Sequence, residues 1–180
     1  LDGLSATTTA GYIDYLAEVA PKTKVVYDQR YVDNGKVITT GGLSAGIDGA
    51  MRLIEKLDGR GAAIQTALGI EYDWRPDSGF ARAALADMRI PGAVYQPFYN
   101  QETELLNFAS DREKSEEVWR TSSQLSPAEM LRLMEAKWTE AKWTRAEGAA
   151  VQNASASSEP SSASRWRHTD SEGKTWEVAV

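Results

Sequence analysis

Hydrophobic positions in the first ninety residues follow two rhythms. Ala6-Thr7-Thr8-Thr9 is a short β-prone run, after which Tyr12, Ile13, Tyr15, Leu16 and Val19 recur at helical spacing until Pro21 stops them. The pattern predicts a strand followed by a helix. Lys24 to Val32 is β-branched and aromatic, and Lys36 to Thr40 resumes that pattern beyond Asp33-Asn34-Gly35. Asn-Gly between two such runs predicts a hairpin on a type I′ turn, whose two central residues both need positive φ. A glycine-rich stretch, Gly41-Gly42-Leu43-Ser44-Ala45-Gly46-Ile47-Asp48, leads into an apolar stripe of Ile47, Ala50, Met51, Ile54 and Leu57, opposed by Arg52, Glu55 and Lys56. Ser44 is the expected N-cap and Gly59 the expected stop. Ala63, Ile64, Ala67, Leu68 and Glu71 then predict a second helix running towards Tyr72-Asp73-Trp74.

Four segments follow from the changing pattern: an α/β part over 1–90, a helical extension over 91–148, a flexible linker over 149–164, and a β-hairpin or the start of a further domain over 165–180. Within the extension, Ser126-Pro127-Ala128-Glu129 is a capping box with proline at the first helical position. Met130, Leu133, Met134, Trp138 and Ala141 continue it as one stripe. The repeat AKWTEAKWT puts Trp138 and Trp143 about 140° apart on a continuous helix, so one is expected inward and the other half exposed or against a partner. Eleven of the 16 residues from 149 to 164 are Ala or Ser, too little apolar surface to offset the entropy of ordering them. Trp166 and Trp176 flank the polar turn Asp170-Ser171-Glu172-Gly173, the mark of a short hairpin.

Composition narrows the functional classes. The 180 residues contain no cysteine and one histidine, which excludes a disulfide framework, a thiolate metal site and a cysteine nucleophile within the chain. The net charge of −6, with no collected basic face, argues against nucleic acid as a partner. No apolar run approaches the roughly 18 to 20 residues that span a bilayer, so no membrane association and a soluble, cytoplasmic protein are expected. Asn153-Ala154-Ser155 matches a glycosylation acceptor, a frequent chance match in serine-rich stretches.

The strongest chemical candidate is the glycine turn. A strand feeding such a turn into a helix start leaves unpaired N–H groups beside the positive end of the helix dipole, which suits a carboxylate, a phosphate or an oxyanion. Its spacing fits neither a P-loop nor the dinucleotide fingerprint. Close packing of helix on strand and the lining of a ligand site are both open readings of it. Asp28, Asp33 and Asp48 are assigned to a strand, a turn and the first helical turn rather than to a metal, and His168 to an exposed strand position. No metal and no cofactor are expected.

The ordered blocks LDGLSATTT, YIDYLAEVAP, VVYDQRYVDNGKVITTGGLSAGIDGAMRLIEKLDG and ALGIEYDW resemble the second half of the ThiJ/PfpI family, within the class I glutamine-amidotransferase-like superfamily. The resemblance covers roughly Leu1 to Trp74 and implies part of a flavodoxin-like α/β sandwich. It also implies small-molecule hydrolase, hydratase or glyoxalase-type chemistry, carried by a cysteine on a strand-to-helix elbow that falls upstream of the matching stretch. Where many members have a histidine this chain has Thr9, whose hydroxyl cannot act as a general base near neutrality. Enzymatic activity is therefore uncertain, and the chain alone is expected to be inactive. A non-catalytic binding or regulatory module is the alternative. Thr9, Gly41, Gly42, Ser44, Ala45 and Gly46 are the candidate ligand-lining residues, with no catalytic residue assigned. Because the matching stretch supplies only about three strands and three helices, the expected partners are the missing N-terminal half or a second copy, besides a small-molecule ligand.

Overall fold

The computed structural model describes residues 1–146, 164–171 and 173–180, and it is a mixed α/β protein with small sheets. The expected linker therefore lies, apart from Ser164, outside the described residues. The chain divides into two compact units, Leu1–Met88 with Ser110–Ser115, and Arg89–Ala109 with Glu116–Val180. Among the described residues no helix is long and apolar enough to cross a membrane.

In the first unit β1 (Ser5–Ala6) pairs parallel with β2 (Lys24–Val25), Ser5 facing Lys24 and Ala6 facing Val25. The crossover between them is a 3-10 turn at Ala10–Tyr12 and α1 (Ile13–Val19), which buries Ile13. The expected strand over Lys24 to Val32 is interrupted: residues 27–30 bend, and β3 (Tyr31–Asp33) starts afresh to pair antiparallel with β4 (Ile38–Thr40). The turn between them is also not type I′. It has four residues, only Gly35 has positive φ (87°), and Asn34 folds it by accepting the N–H groups of Lys36 and Val37 on its side-chain oxygen.

Helix α2 (Leu43–Asp58) starts on Gly42, not on Ser44, which sits two residues further in and caps nothing. Its buried line is Ala45, Asp48, Gly49 and Met51. The predicted stripe is displaced: Leu57 is 73% exposed, Ala50 is exposed, and Ile47 and Ile54 are half-buried. The cause is the close approach of the helix to β4, where a Cβ at Gly49 would overlap the Thr40 methyl group. Gly59 (φ 88°) ends α2 and α3 (Arg60–Gly69) follows at once, burying Ala63 and Ala67 while Ile64 and Leu68 face out.

The second unit corrects the expected helical extension. Residues 102–122 form a two-stranded ribbon of β5 (Glu102–Ser110) and β6 (Ser115–Ser122), whose tip belongs to the first unit, and among the described residues of the extension only α4 (Pro127–Glu140) is an α-helix. The capping box is present as the sequence predicts, with Ser126 Oγ accepting from Glu129 N and Glu129 accepting from Ser126 N. The end of α4 overturns the reading of its tryptophans. Lys142 adopts φ 64°, Lys142 N donates to Thr139 O and Trp143 N to Trp138 O, which together make a Schellman ending. Trp143 thereby leaves the helical path and meets Trp138 edge to face, ring centres 4.8 Å apart, so both are buried in one core. The terminal hairpin joins that core. β7 (Thr144–Arg145), β8 (Arg165–Thr169) and β9 (Thr175–Ala179) form a three-stranded antiparallel sheet, and Trp166 stacks on Trp138 at 6.4 Å. His168 is not an exposed strand residue: it is half-buried and stacked on Trp143 at 5.2 Å.

Candidate functional site

The site is built by the turn between β4 and α2. Gly41 N donates to Arg30 O, which draws the bend before β3 against the turn, and a Cβ on Gly41 would sit 3.4 Å from that oxygen and from the Ala45 methyl. The first intrahelical bond of α2 runs from Gly46 N to Gly42 O, so the preceding amides point out of the helix start. Opposite them, the Thr7 N–H donates to Thr39 Oγ1 at 3.0 Å and holds the chain after β1 alongside β4. Between these walls lies a pocket of about 100 Å3, the scale of a small organic acid rather than a nucleotide.

Four of the residues predicted to line a ligand, Gly41, Gly42, Ser44 and Ala45, border this pocket. Two do not. Thr9 is exposed, its carbonyl accepting from Tyr12 N at the 3-10 turn, whereas its neighbours Thr7, Thr8 and Ala10 line the wall. Gly46 lies outside the lining, its Cβ direction facing Thr40 Oγ1.

The sequence did not reveal what makes the pocket polar. Arg30 lines it and is fixed from behind: Nε pairs with Asp48, Nη2 donates to Ser44 Oγ at 3.2 Å, and the guanidinium lies 5.8 Å from the centre of the Phe80 ring. Asp48, 2% exposed, also accepts from the Tyr72 hydroxyl at 2.8 Å. The end of α3 delivers that tyrosine. Glu71 takes φ 55°, Glu71 N donates to Leu68 O and Tyr72 N to Ala67 O, a second Schellman ending that turns Tyr72 back towards α2. Burial works against the charge of Arg30, but the hydrogen bond and charge of Asp48 outweigh it and hold the guanidinium protonated above its ordinary range. The Tyr72 phenol is pushed up by burial and then by Asp48, so it stays a donor.

Asp48 thus serves as a buried counter-ion beyond the first helical turn, not as a dipole partner inside it. An acid three residues from buried Ala45 and Met51, following an arginine just ahead of a strand, was the available signal. The other two aspartates go elsewhere: Asp33 accepts from Arg52, Lys56 and the Gly35 N–H, and Asp28 lies 3.7 Å from Arg112. With this geometry in hand, comparison with known proteins finds no protein family and no curated protein that matches the chain.

Proposed function

We propose that the first unit is a ThiJ/PfpI-like segment with a flavodoxin-like arrangement, and that it binds a small molecule bearing a carboxylate or a carbonyl oxygen. One observation carries this reading: the Gly41-Gly42 turn, the helix-start amides of α2 and the anchored Arg30 border one pocket of small-metabolite size. Backbone N–H groups and a guanidinium are donors only, so the partner they select is an acceptor oxygen, charged or polarised. The hydrolase, hydratase or glyoxalase-type chemistry of the family needs a nucleophile that this chain does not contain.

The alternative, a binding module without catalysis, is favoured by one specific feature. Thr9, at the position where the family resemblance places a histidine, is exposed and outside the lining, and the described residues that border the pocket include no Asp, Glu, His or Cys. The purified chain is accordingly expected to lack glyoxalase or esterase turnover. Titration with glyoxylate or pyruvate, followed by amide NMR to about 10 mM, tests binding at the weak affinities expected of so small a ligand. Shifts concentrated at residues 41–45 and weakened by Ser44→Ala support the proposal. Unchanged amides at saturating concentration, or shifts elsewhere only, refute it.

A further inference from the structure

The pocket of the first unit has two unlike sides. Its donors, the Gly41-Gly42 turn, Ser44 and Arg30, come from the β4–α2 connection and the bend before β3. A second wall comes from elsewhere in the chain: the 3-10 turn at Ala10–Tyr12 packs on another 3-10 turn, Arg82–Ala84, and Ala10, Phe80, Ala81 and Ala83 border the pocket. These four side chains carry no hydrogen-bonding group, and Ala81 and Ala83 are buried. The polar groups among them are engaged. Arg82 turns both terminal nitrogens to Asp87, Nη1 donating to Oδ1 at 2.8 Å and Nη2 pairing with Oδ2, and the Tyr27 hydroxyl donates to Asp14 Oδ1 at 3.0 Å. Arg30 also has an aspartate behind it, but it stands at the start of α2, whose outward amides and dipole add to its pull on an anion. Phe80 joins the two sides. Arg112 Nη2 donates to Gly79 O at 3.1 Å and Phe80 N to Ser78 Oγ at 3.3 Å, and the ring so held lies 5.8 Å from the Arg30 guanidinium.

On the reading that the donors take an acceptor oxygen, we propose that the ligand is a monocarboxylic acid with a short uncharged alkyl end, and that Phe80 determines which alkyl end is accepted. The carboxylate lies at Arg30 and the glycine turn, and the alkyl end lies against Phe80, Ala81 and Ala83. A volume of about 100 Å3 keeps that end short. A second carboxylate there would lose its hydration against alanine methyl groups and meet a guanidinium whose terminal nitrogens already face Asp87.

The experiment titrates the full chain with pyruvate, 2-oxobutyrate and freshly dissolved oxaloacetate, read by amide NMR. 2-Oxobutyrate adds one methylene to pyruvate and should bind about fourfold more tightly. Oxaloacetate puts a carboxylate in place of its terminal methyl group and should bind about tenfold or more weakly than 2-oxobutyrate. Shifts caused by 2-oxobutyrate should extend from residues 41–45 to 80–83. Phe80→Ala removes a ring that is 52% exposed, so it opens no core cavity, and it should bring the ratio of the 2-oxobutyrate and pyruvate affinities towards one. A ratio unchanged by Phe80→Ala overturns the role given to Phe80. Equal binding of pyruvate and 2-oxobutyrate at residues 41–45, or tightest binding by oxaloacetate, overturns the alkyl end and leaves the acceptor-oxygen reading in place. No shift at residues 41–45 with any of the three overturns both.

Discussion

Asp48 and Arg30 form a buried ion pair, so removing either is costly. Their side chains are 3% and 15% exposed, so taking away one charge leaves the other buried without its partner. Asp48→Ala is expected to destabilise the first unit by about 3 to 5 kcal/mol, and Arg30→Met by a similar amount. The double variant Arg30→Met/Asp48→Leu should recover much of that loss. Denaturant unfolding of the four proteins measures the coupling. Asp33 gives a pH signature. Its carboxyl is held below the ordinary aspartate range by the Lys56 hydrogen bond first, then by the Gly35 N–H and Arg52. A group ionised more readily in the folded state stabilises it above the unfolded value, near pH 4, and that contribution is lost as pH falls through the lower folded value. Urea midpoints should drop below about pH 4, and Asp33→Asn should flatten the drop.

At the scale of elements, helix endings do the positioning. Both Schellman endings place a non-glycine residue at positive φ, Glu71 before Tyr72 and Lys142 before Trp143. Glycine there removes the Cβ conflict, so Glu71→Gly and Lys142→Gly should each raise stability by up to about 1 kcal/mol in thermal melts. Gly49 presents the opposite case. Gly49→Ala drives a methyl into Thr40 and should cost about 1 to 3 kcal/mol, partly relieved by Thr40→Ser. These elements also mark what the sequence could disclose. The capping box at Ser126 was legible because every participant lies within four residues. The hairpin between Tyr31 and Thr40 was legible in outline, but its turn depends on side-chain bonds from Asn34 that a dipeptide rule does not contain. Residues 102–122 gave no clear period, and their charge suggested a helix. Arg30 with Asp48 and Tyr72 depended on contacts 18 and 24 residues apart, so the glycine turn could be found while the charge beside it could not.

At the scale of the molecule, the two units carry separate reporters. Of the six tryptophans, Trp74 lies in the first unit and Trp119, Trp138, Trp143, Trp166 and Trp176 in the second. Fluorescence therefore follows mainly the second unit, while circular dichroism follows both. Trp166→Ala, which opens the stacked core, should lower the unfolding free energy of the fluorescence-detected transition by about 3 to 5 kcal/mol and leave the Asp48-dependent transition in place. Coincident transitions that move together in every variant would contradict this.

The discontinuous first unit has a consequence for how the protein is made. Its body ends at Met88, yet buried Asp87 accepts from Ser110 Oγ at 2.8 Å, Ala86 N donates to Asp111 O, and Arg112 reaches the carbonyls of Asp28 and Gly79. On a ribosome these partners arrive some twenty residues after the segment that needs them, a delay of about 1 to 4 seconds at ordinary elongation rates. During that interval Asp87 still has Arg82, five residues before it in the chain, whose guanidinium donates to its carboxylate at 2.8 Å. Nascent chains stalled before residue 110 leaves the exit tunnel should remain protease-sensitive across 75–90, and those stalled after residue 115 has emerged should not. Synthesis of the first unit is thus a task finished from within the coding region of the second.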